Sequence, residues 1–152
     1  MANSDRDVVT ALARQHLSPD DADTWLRLLR PAVQLVPAGG DDVVVARLGG
    51  RATLPVGVPW LAWEGHGPLS FIGEIDLEAL AGLGLELDID LPTEGLLALF
   101  YWDGSVDDAD AIVGTWDRDS LAGVRLLHLT QPRQELVPTD TPGDAFTYRS
   151  GS

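Results

Sequence analysis

Two carboxylates and a histidine that follow paired tryptophans have the clearest capacity for chemistry in this sequence. Glu74 and Asp76 stand two positions apart in the run PLSFIGEIDL, so a strand would place both on one face. Trp60, Trp63 and His66 precede them in a stretch rich in Gly and Pro. Carboxylates and imidazole can exchange protons, and indoles offer a large contact area. These five residues are the candidate binding site.

A structural interpretation of the same residues stays open. The carboxylates can cap turns or face water, and the two indoles can close one end of a sheet. In the functional interpretation, Glu74, Asp76 and His66 surround a pocket rimmed by Trp60 and Trp63. That interpretation requires the five side chains to converge on one concave surface.

One motif, DGSVDDADAIVG, suggests a calcium loop, because Asp103, Ser105 and Asp107 occupy every second position as potential oxygen ligands. An EF-hand loop needs glycine at its sixth position and a bidentate glutamate at its twelfth. Asp108 and Gly114 occupy these positions here. The motif therefore predicts no EF-hand.

Other catalytic and metal-binding patterns are incomplete. The histidines, His16, His66 and His128, fall on separate predicted elements without the spacing of a helical zinc pair. Ser70 lacks the Gly-x-Ser-x-Gly context of a nucleophile elbow. We predict no catalytic residue, no metal and no cofactor.

Composition excludes several reaction classes. The chain has 0 Cys, which removes thiolate nucleophiles, disulfides and cysteine-based zinc sites. Its 10 basic residues are all arginine, so Schiff-base chemistry and the lysine of a P-loop are also excluded.

Charge indicates which partners to expect. The net charge is -14, with 24 carboxylates and no cluster of arginines. Nucleic acid and anionic membrane surfaces are therefore unexpected partners, and a basic protein is favoured. No apolar run approaches the roughly 20 residues of a membrane span, and no secretory signal is recognised, so the expected location is the cytoplasm.

The N-terminal fifth has the pattern of a helical hairpin, over residues 1–31. The spacing of apolar residues predicts a first helix from about Asp5 to Gln15. A second helix begins with Ser18 as cap and Pro19 at its first position, and Pro31 ends it.

From residue 32 onward the pattern changes to short apolar or alternating runs separated by Gly, Pro and Asp. The run GLLALFYW is apolar on both faces and predicts a central strand. The run LELDIDL predicts a half-exposed strand or an extended loop, and GGRATLPVGVPW predicts a loop. The other predicted strands are AVQLV, DVVVARL, PLSFIGEIDL and VRLLHLT.

The resulting fold class is α+β, mainly β, in one domain of 152 residues. A helical hairpin precedes an antiparallel sheet or roll that spans residues 32–152.

Three ordered blocks, LGGRATLPVGVPW, GPLSFIGEIDLEAL and LPTEGLLALFY, resemble the YwqG-like (DUF1963) family of uncharacterised bacterial proteins. The resemblance implies a mainly β, roll-like fold with helices at the N-terminus and no established activity. This sequence differs from the family pattern at Leu61, where proline is frequent, and at Glu74, where glutamine is common. Relatives are longer, so a short or truncated member is expected. The family motif, interpreted as structural, comprises Gly49, Gly50, Leu54, Pro55, Pro68, Phe71, Pro92, Gly95 and Phe100.

Two functional hypotheses follow. The favoured one is a non-enzymatic, acidic protein-interaction module that binds a basic partner through its carboxylate-rich or aromatic loop surface. An immunity role is an analogy drawn from relatives near toxin genes. The alternative is a small-molecule-binding or hydrolytic enzyme that uses the five candidate residues.

Overall fold

The computed structural model describes residues 2–30, 32–85, 87–104 and 111–143. By its internal contacts the chain divides into two units. One unit is Met1–Gln34 with Glu86–Asp90, and the other is Leu35–Leu85 with Leu91–Ser152. The first carries the two N-terminal helices and the second carries the eight strands found in the described residues, which confirms the α+β class.

The N-terminal helical hairpin is confirmed. Helix α1 spans Ala2–His16 and helix α2 spans Pro19–Leu28. Ser18 caps α2, because its Oγ accepts a hydrogen bond from the backbone N–H of Asp21 at 3.3 Å. Pro19 occupies the first turn, where its missing N–H costs no helical hydrogen bond. Helix α1 begins earlier than the predicted Asp5, and α2 ends before Pro31.

A four-stranded antiparallel sheet dominates the second unit. Its order is β1-β5-β6-β7, so the predicted central strand, β6, is interior. A bulge interrupts the pairing of β5 with β6 between Phe71 and Gly73. The four strands are β1 (Ala46–Leu48), β5 (Ser70–Asp76), β6 (Leu96–Tyr101) and β7 (Val124–Leu129).

Two small sheets and a short helix complete this unit. Strand β2 (Ala52–Pro55) pairs with β8 (Leu136–Thr139), and β3 (Ala62–Trp63) pairs with β4 (Gly67–Pro68). Helix α3 (Leu77–Gly82) follows β5 directly. Short 3-10 turns precede β7 and β8.

Several predictions of local structure differ from what the structure shows. The run AVQLV is irregular, and DVVVARL forms a strand only from Ala46. Of the two alternatives for LELDIDL, the described residues agree with the loop: they form no strand, and Leu85 and Ile89 are exposed. By contrast, GGRATLPVGVPW is not entirely loop, because Ala52–Pro55 form β2.

The prolines of the small sheet explain why β2 is missed by sequence patterns. Pro55 lies at the last position of β2, and Pro138 of β8 lies opposite Thr53. Each strand of a two-stranded sheet has a free edge, where a residue without an N–H donor is tolerated. The tight turn before β2 uses Gly49 and Gly50, both at positive φ (67° and 77°).

The hydrophobic core lies between one face of the four-stranded sheet and the β2–β8 pair. Phe100 and Leu54 have no exposed surface, and Phe71 is almost completely buried. Phe100 contacts Phe71 and Trp60 with ring centroids 5.3 Å and 5.5 Å apart. The other buried members are Ala52, Leu69, Leu96, Ala98, Trp102, Ala111, Leu129 and Leu136.

Candidate functional site

The three aromatic candidates gather at one end of the sheet. The Trp63 and His66 rings are 4.1 Å apart, and both lie against buried Trp102, at 6.1 Å and 5.8 Å. Trp60 donates from its indole Nε1 to the carbonyl of Leu69 at 2.7 Å. These contacts tie the indoles to the core, as the structural interpretation expects.

The β3–β4 hairpin positions Trp63 and His66. Its tight connection closes with a hydrogen bond from the His66 N–H to the Trp63 carbonyl at 3.0 Å, and Gly65 adopts a φ of 84° there. A side chain at Gly123 would collide with Trp63, since a Cβ there would be 2.7 Å from the indole. The backbone of the 3-10 turn before β7 therefore packs tightly against this ring.

Glu74 is neutralised by an arginine from the neighbouring strand. Arg47 Nη2 lies 2.9 Å from Glu74 Oε1, and the Thr53 hydroxyl donates to the same oxygen at 3.1 Å. The Arg47 guanidinium also lies over the ring of Phe71, 5.8 Å from its centroid. Glu74 Oε2 is buried and lacks a hydrogen-bond partner. The carboxylate thus joins β1, β2 and β5.

Asp76 performs a different task at the end of β5. Its Oδ1 accepts the backbone N–H of Ala79 at 3.1 Å and so caps α3, while its Oδ2 accepts a hydrogen bond from Arg133. The carboxylate also lines a cavity of about 210 Å³, together with Glu78, Glu94 and Arg133. A capping, ion-paired carboxylate fits the structural interpretation.

The five candidates do not line one cavity. Asp76 lines the cavity just described, whereas Trp60, Trp63, His66 and Glu74 do not. The aromatic residues cluster near Leu69 and Trp102, at the Ser70 end of β5, and Asp76 terminates that strand. At roughly 3.3 Å per residue, the two ends of β5 are about 20 Å apart. The structure thus brings the aromatic candidates together and places Asp76 at the other end of β5.

Half of the calcium-loop motif falls outside the described residues, since Ser105, Asp107 and Asp108 all lie between positions 104 and 111. Within the described ranges, no group of three or more histidines, aspartates or glutamates is arranged to hold a metal ion. Among the described helices, none combines the length and apolar character of a membrane span.

Sequence patterns missed the outer face of the four-stranded sheet, opposite the core. The register aligns Leu48, Gly73, Leu99 and Leu126 in one row across the four strands. Leu48 and Leu126, at the two edges, are 59% and 64% exposed. The remaining outer-face residues are Ala46, Ser70, Ile75, Leu97, Tyr101, Val124 and His128.

This face has no Asp, Glu or Arg at any of its strand positions, although the chain carries 24 acidic residues. An antiparallel sheet with one covered face ordinarily presents polar side chains on the other. The signal was present in the alternation of VRLLHL, where Val124, Leu126 and His128 share one side of β7. Only the register shows that neighbouring strands continue the apolar surface.

A comparison with known protein families gives one match. Residues 46–148 match the model of the Domain of unknown function (DUF1963). The matched region begins at β1 and ends after β8, so it includes the eight strands of the described residues. No curated protein and no solved structure matches the chain significantly.

Proposed function

Because the chain belongs to the DUF1963 family, a domain of unknown function, we propose its role from geometry: it is a non-enzymatic module that binds another protein. The binding surface is the outer face of the four-stranded sheet. The observation that carries this proposal is the uncharged, partly exposed apolar character of that face in a chain of net charge -14.

Exposed apolar surface of this kind has a recognised meaning. Single exposed apolar residues are common on soluble proteins, but a contiguous apolar patch marks a binding site. Leu48, Leu99 and Leu126 lie in one row across the sheet, with Gly73 between Leu48 and Leu99, and Ile75 and Leu97 belong to a second row. The absence of charge from the centre of the patch matches the composition of protein–protein interface cores.

The charge of the rest of the molecule favours a basic partner. Several of the ten arginines are engaged with carboxylates, including Arg47, Arg51 and Arg133. The surrounding field is therefore acidic, which attracts and orients a basic protein before the apolar surfaces meet. Salt should slow this association more than it weakens the final apolar contact.

The arrangement of the carboxylates favours binding over hydrolysis. A general acid or base needs a carboxylate that is free to exchange a proton with a substrate. Glu74 is paired with Arg47, and Asp76 is occupied by Arg133 and by the N-terminus of α3. Both groups have structural partners that account for their positions.

The test compares two double variants of the full chain as baits in native lysate. Leu48→Asp/Leu126→Asp places charge on the outer face. Val56→Asp/Val58→Asp adds the same charge at exposed positions just after β2, and serves as the matched control. We expect wild type and control to capture the same protein, and the outer-face variant to lose about ten-fold in affinity for it once purified.

Equal affinity of both double variants for the captured protein would overturn the proposal, as would the absence of any specific capture at low and high salt. Repeating the capture at both salt concentrations tests the charge of the partner, because a basic partner should associate more slowly at high salt.

A further inference from the structure

Strand β7 forms one edge of the sheet, and within the described residues β6 is its one strand neighbour. It is six residues long, Val124–Leu129, and contains no proline, and its one Arg, Arg125, lies near the Val124 end. Natural proteins generally protect such edges with short strands, prolines or inward-pointing charges, because a free edge is a template for another strand. The opposite edge strand, β1, has three residues.

The pairing register shows which backbone groups of β7 point to the free edge. The Trp102 N–H donates to the Gly123 carbonyl at 2.7 Å, so the odd-numbered residues of β7 bond to β6. Successive residues of a strand direct their backbone groups to opposite sides. The even-numbered residues Val124, Leu126 and His128 therefore face the edge, and their side chains lie on the outer face.

At one end of this edge a backbone carbonyl already accepts a hydrogen bond from a side chain. Arg125 folds its guanidinium back and donates to the carbonyls of Val124 and Leu121, at 2.9 Å and 3.2 Å. Among the described residues, nothing comparable covers the edge from Leu126 to His128. A strand that pairs here is centred on Leu126.

We propose that an extended segment of a basic partner protein adds to β7 as a fifth, antiparallel strand. This inference rests on the proposed function and specifies how that surface is used. Main-chain hydrogen bonds to Leu126 and His128 fix the added strand, and its apolar side chains continue the rows of Leu99 and Leu97 on the outer face. Arginine or lysine at the alternate positions complements the net charge of -14.

The same charge argues against a second copy as the occupant. Two chains that pair through β7 would each bring a net charge of -14, and this repulsion opposes self-association. A basic segment gains attraction from the same field. Oligomeric state therefore discriminates between these two occupants.

The decisive experiment uses three synthetic heptapeptides that alternate Val and Arg, with binding to the wild-type chain followed by fluorescence anisotropy. One peptide is unmodified, one is N-methylated at its valines, and one is N-methylated at its arginines. In an antiparallel pair the valines that share the outer face with Leu126 also face β7. We expect valine methylation to weaken binding at least about ten-fold and arginine methylation to leave it nearly unchanged.

A peptide that alternates Val and Glu should bind at least about ten-fold more weakly than the unmodified Val/Arg peptide. The variant Leu126→Pro removes the edge-facing N–H without removing a bond to β6, and should cause a loss similar to valine methylation. Because the methylated peptides need no change to the protein, they test strand addition to β7 even if Leu126→Pro does not fold.

Equal binding of all three Val/Arg peptides would overturn strand addition, since charge alone would then explain the affinity. A wild-type dimer that Leu126→Pro dissociates would overturn it too, and would assign the edge to a second copy. If Leu126→Pro retains the captured protein while Leu48→Asp/Leu126→Asp loses it, strand addition fails and the proposed function stands. If both variants retain the captured protein, strand addition and the proposed function both fail.

Discussion

The two faces of the four-stranded sheet reverse the usual distribution of charge. The covered face carries Arg47, Glu74, Asp76 and Arg125 among its strand positions, beneath or beside the β2–β8 pair. The open face carries no Asp, Glu or Arg at its strand positions. In most antiparallel sheets the charged side chains stand on the solvated side.

The reversal separates two tasks within a single sheet. On the covered face each carboxylate has an arginine partner, so the ionic groups hold strands and the short helix together. On the open face the apolar residues hold no ion pairs of this kind, and the proposed binding of a partner depends on their exposure. Substitutions on the two faces should therefore differ in what they damage.

The largest effect should come from the covered face. Phe100→Ala removes a fully buried ring that contacts Phe71 and Trp60, and should reduce the free energy of unfolding by about 3–5 kcal/mol. Its neighbour Tyr101 lies on the open face and is 37% exposed, so Tyr101→Ala should cost about 1 kcal/mol. Urea denaturation of both variants measures the difference. Equal losses would contradict the distinction between the faces.

An intermediate effect should follow from the ionic group on the covered face. Glu74→Ala leaves Arg47 and the Thr53 hydroxyl without their shared acceptor, and should cost about 1–3 kcal/mol. Glu74→Gln keeps an acceptor oxygen, so it should cost less. Thermal and urea unfolding of the two variants checks the order. Equal losses in the two variants would show that charge, rather than hydrogen bonding, dominates at this position, since both remove the charge.

The smallest effect on stability should come from the outer-face variant. Leu48 and Leu126 are mostly exposed, so Leu48→Asp/Leu126→Asp should change the free energy of unfolding by only about 0.5–1 kcal/mol. Calorimetry beside the Val56→Asp/Val58→Asp control measures it. A loss as large as that of Phe100→Ala would mean that Leu48 and Leu126 belong to the core of the folded chain.

The sequence allowed the fold class, the helical hairpin and the central position of β6 to be predicted, because each depends on local signals. Ser18 and Pro19 specify the start of α2, and GLLALFYW can be buried on both faces only in an interior strand. Strand β2 depends instead on a partner more than eighty positions away in the chain. Alternation left LELDIDL open as a strand or a loop, because only the tertiary structure shows that its described residues pair with no neighbouring strand.

At the candidate site, too, only the features that depend on neighbouring residues in the sequence could be predicted. That Trp60 and Trp63 belong together followed from their proximity in the sequence, and the structure places both in the aromatic end of the core. The arginine partners of Glu74 and Asp76 come from distant segments, so their neutralisation was not predictable. The outer face as a whole was also not predictable, although VRLLHL alternates, because Leu48, Leu99 and Leu126 become neighbours only through strand register.

The pairing of β2 with β8 has a consequence for the order of folding. Ala52 pairs with Thr139, whereas β5, β6 and β7 follow one another along the chain and pair with their sequence neighbours. Closing the longer loop costs more chain entropy, and contacts of large sequence separation slow folding. The three-stranded meander should therefore form before the β2–β8 pair covers it. During that interval both of its faces are open to water, and refolding at high protein concentration is the condition in which the chain is most exposed to aggregation.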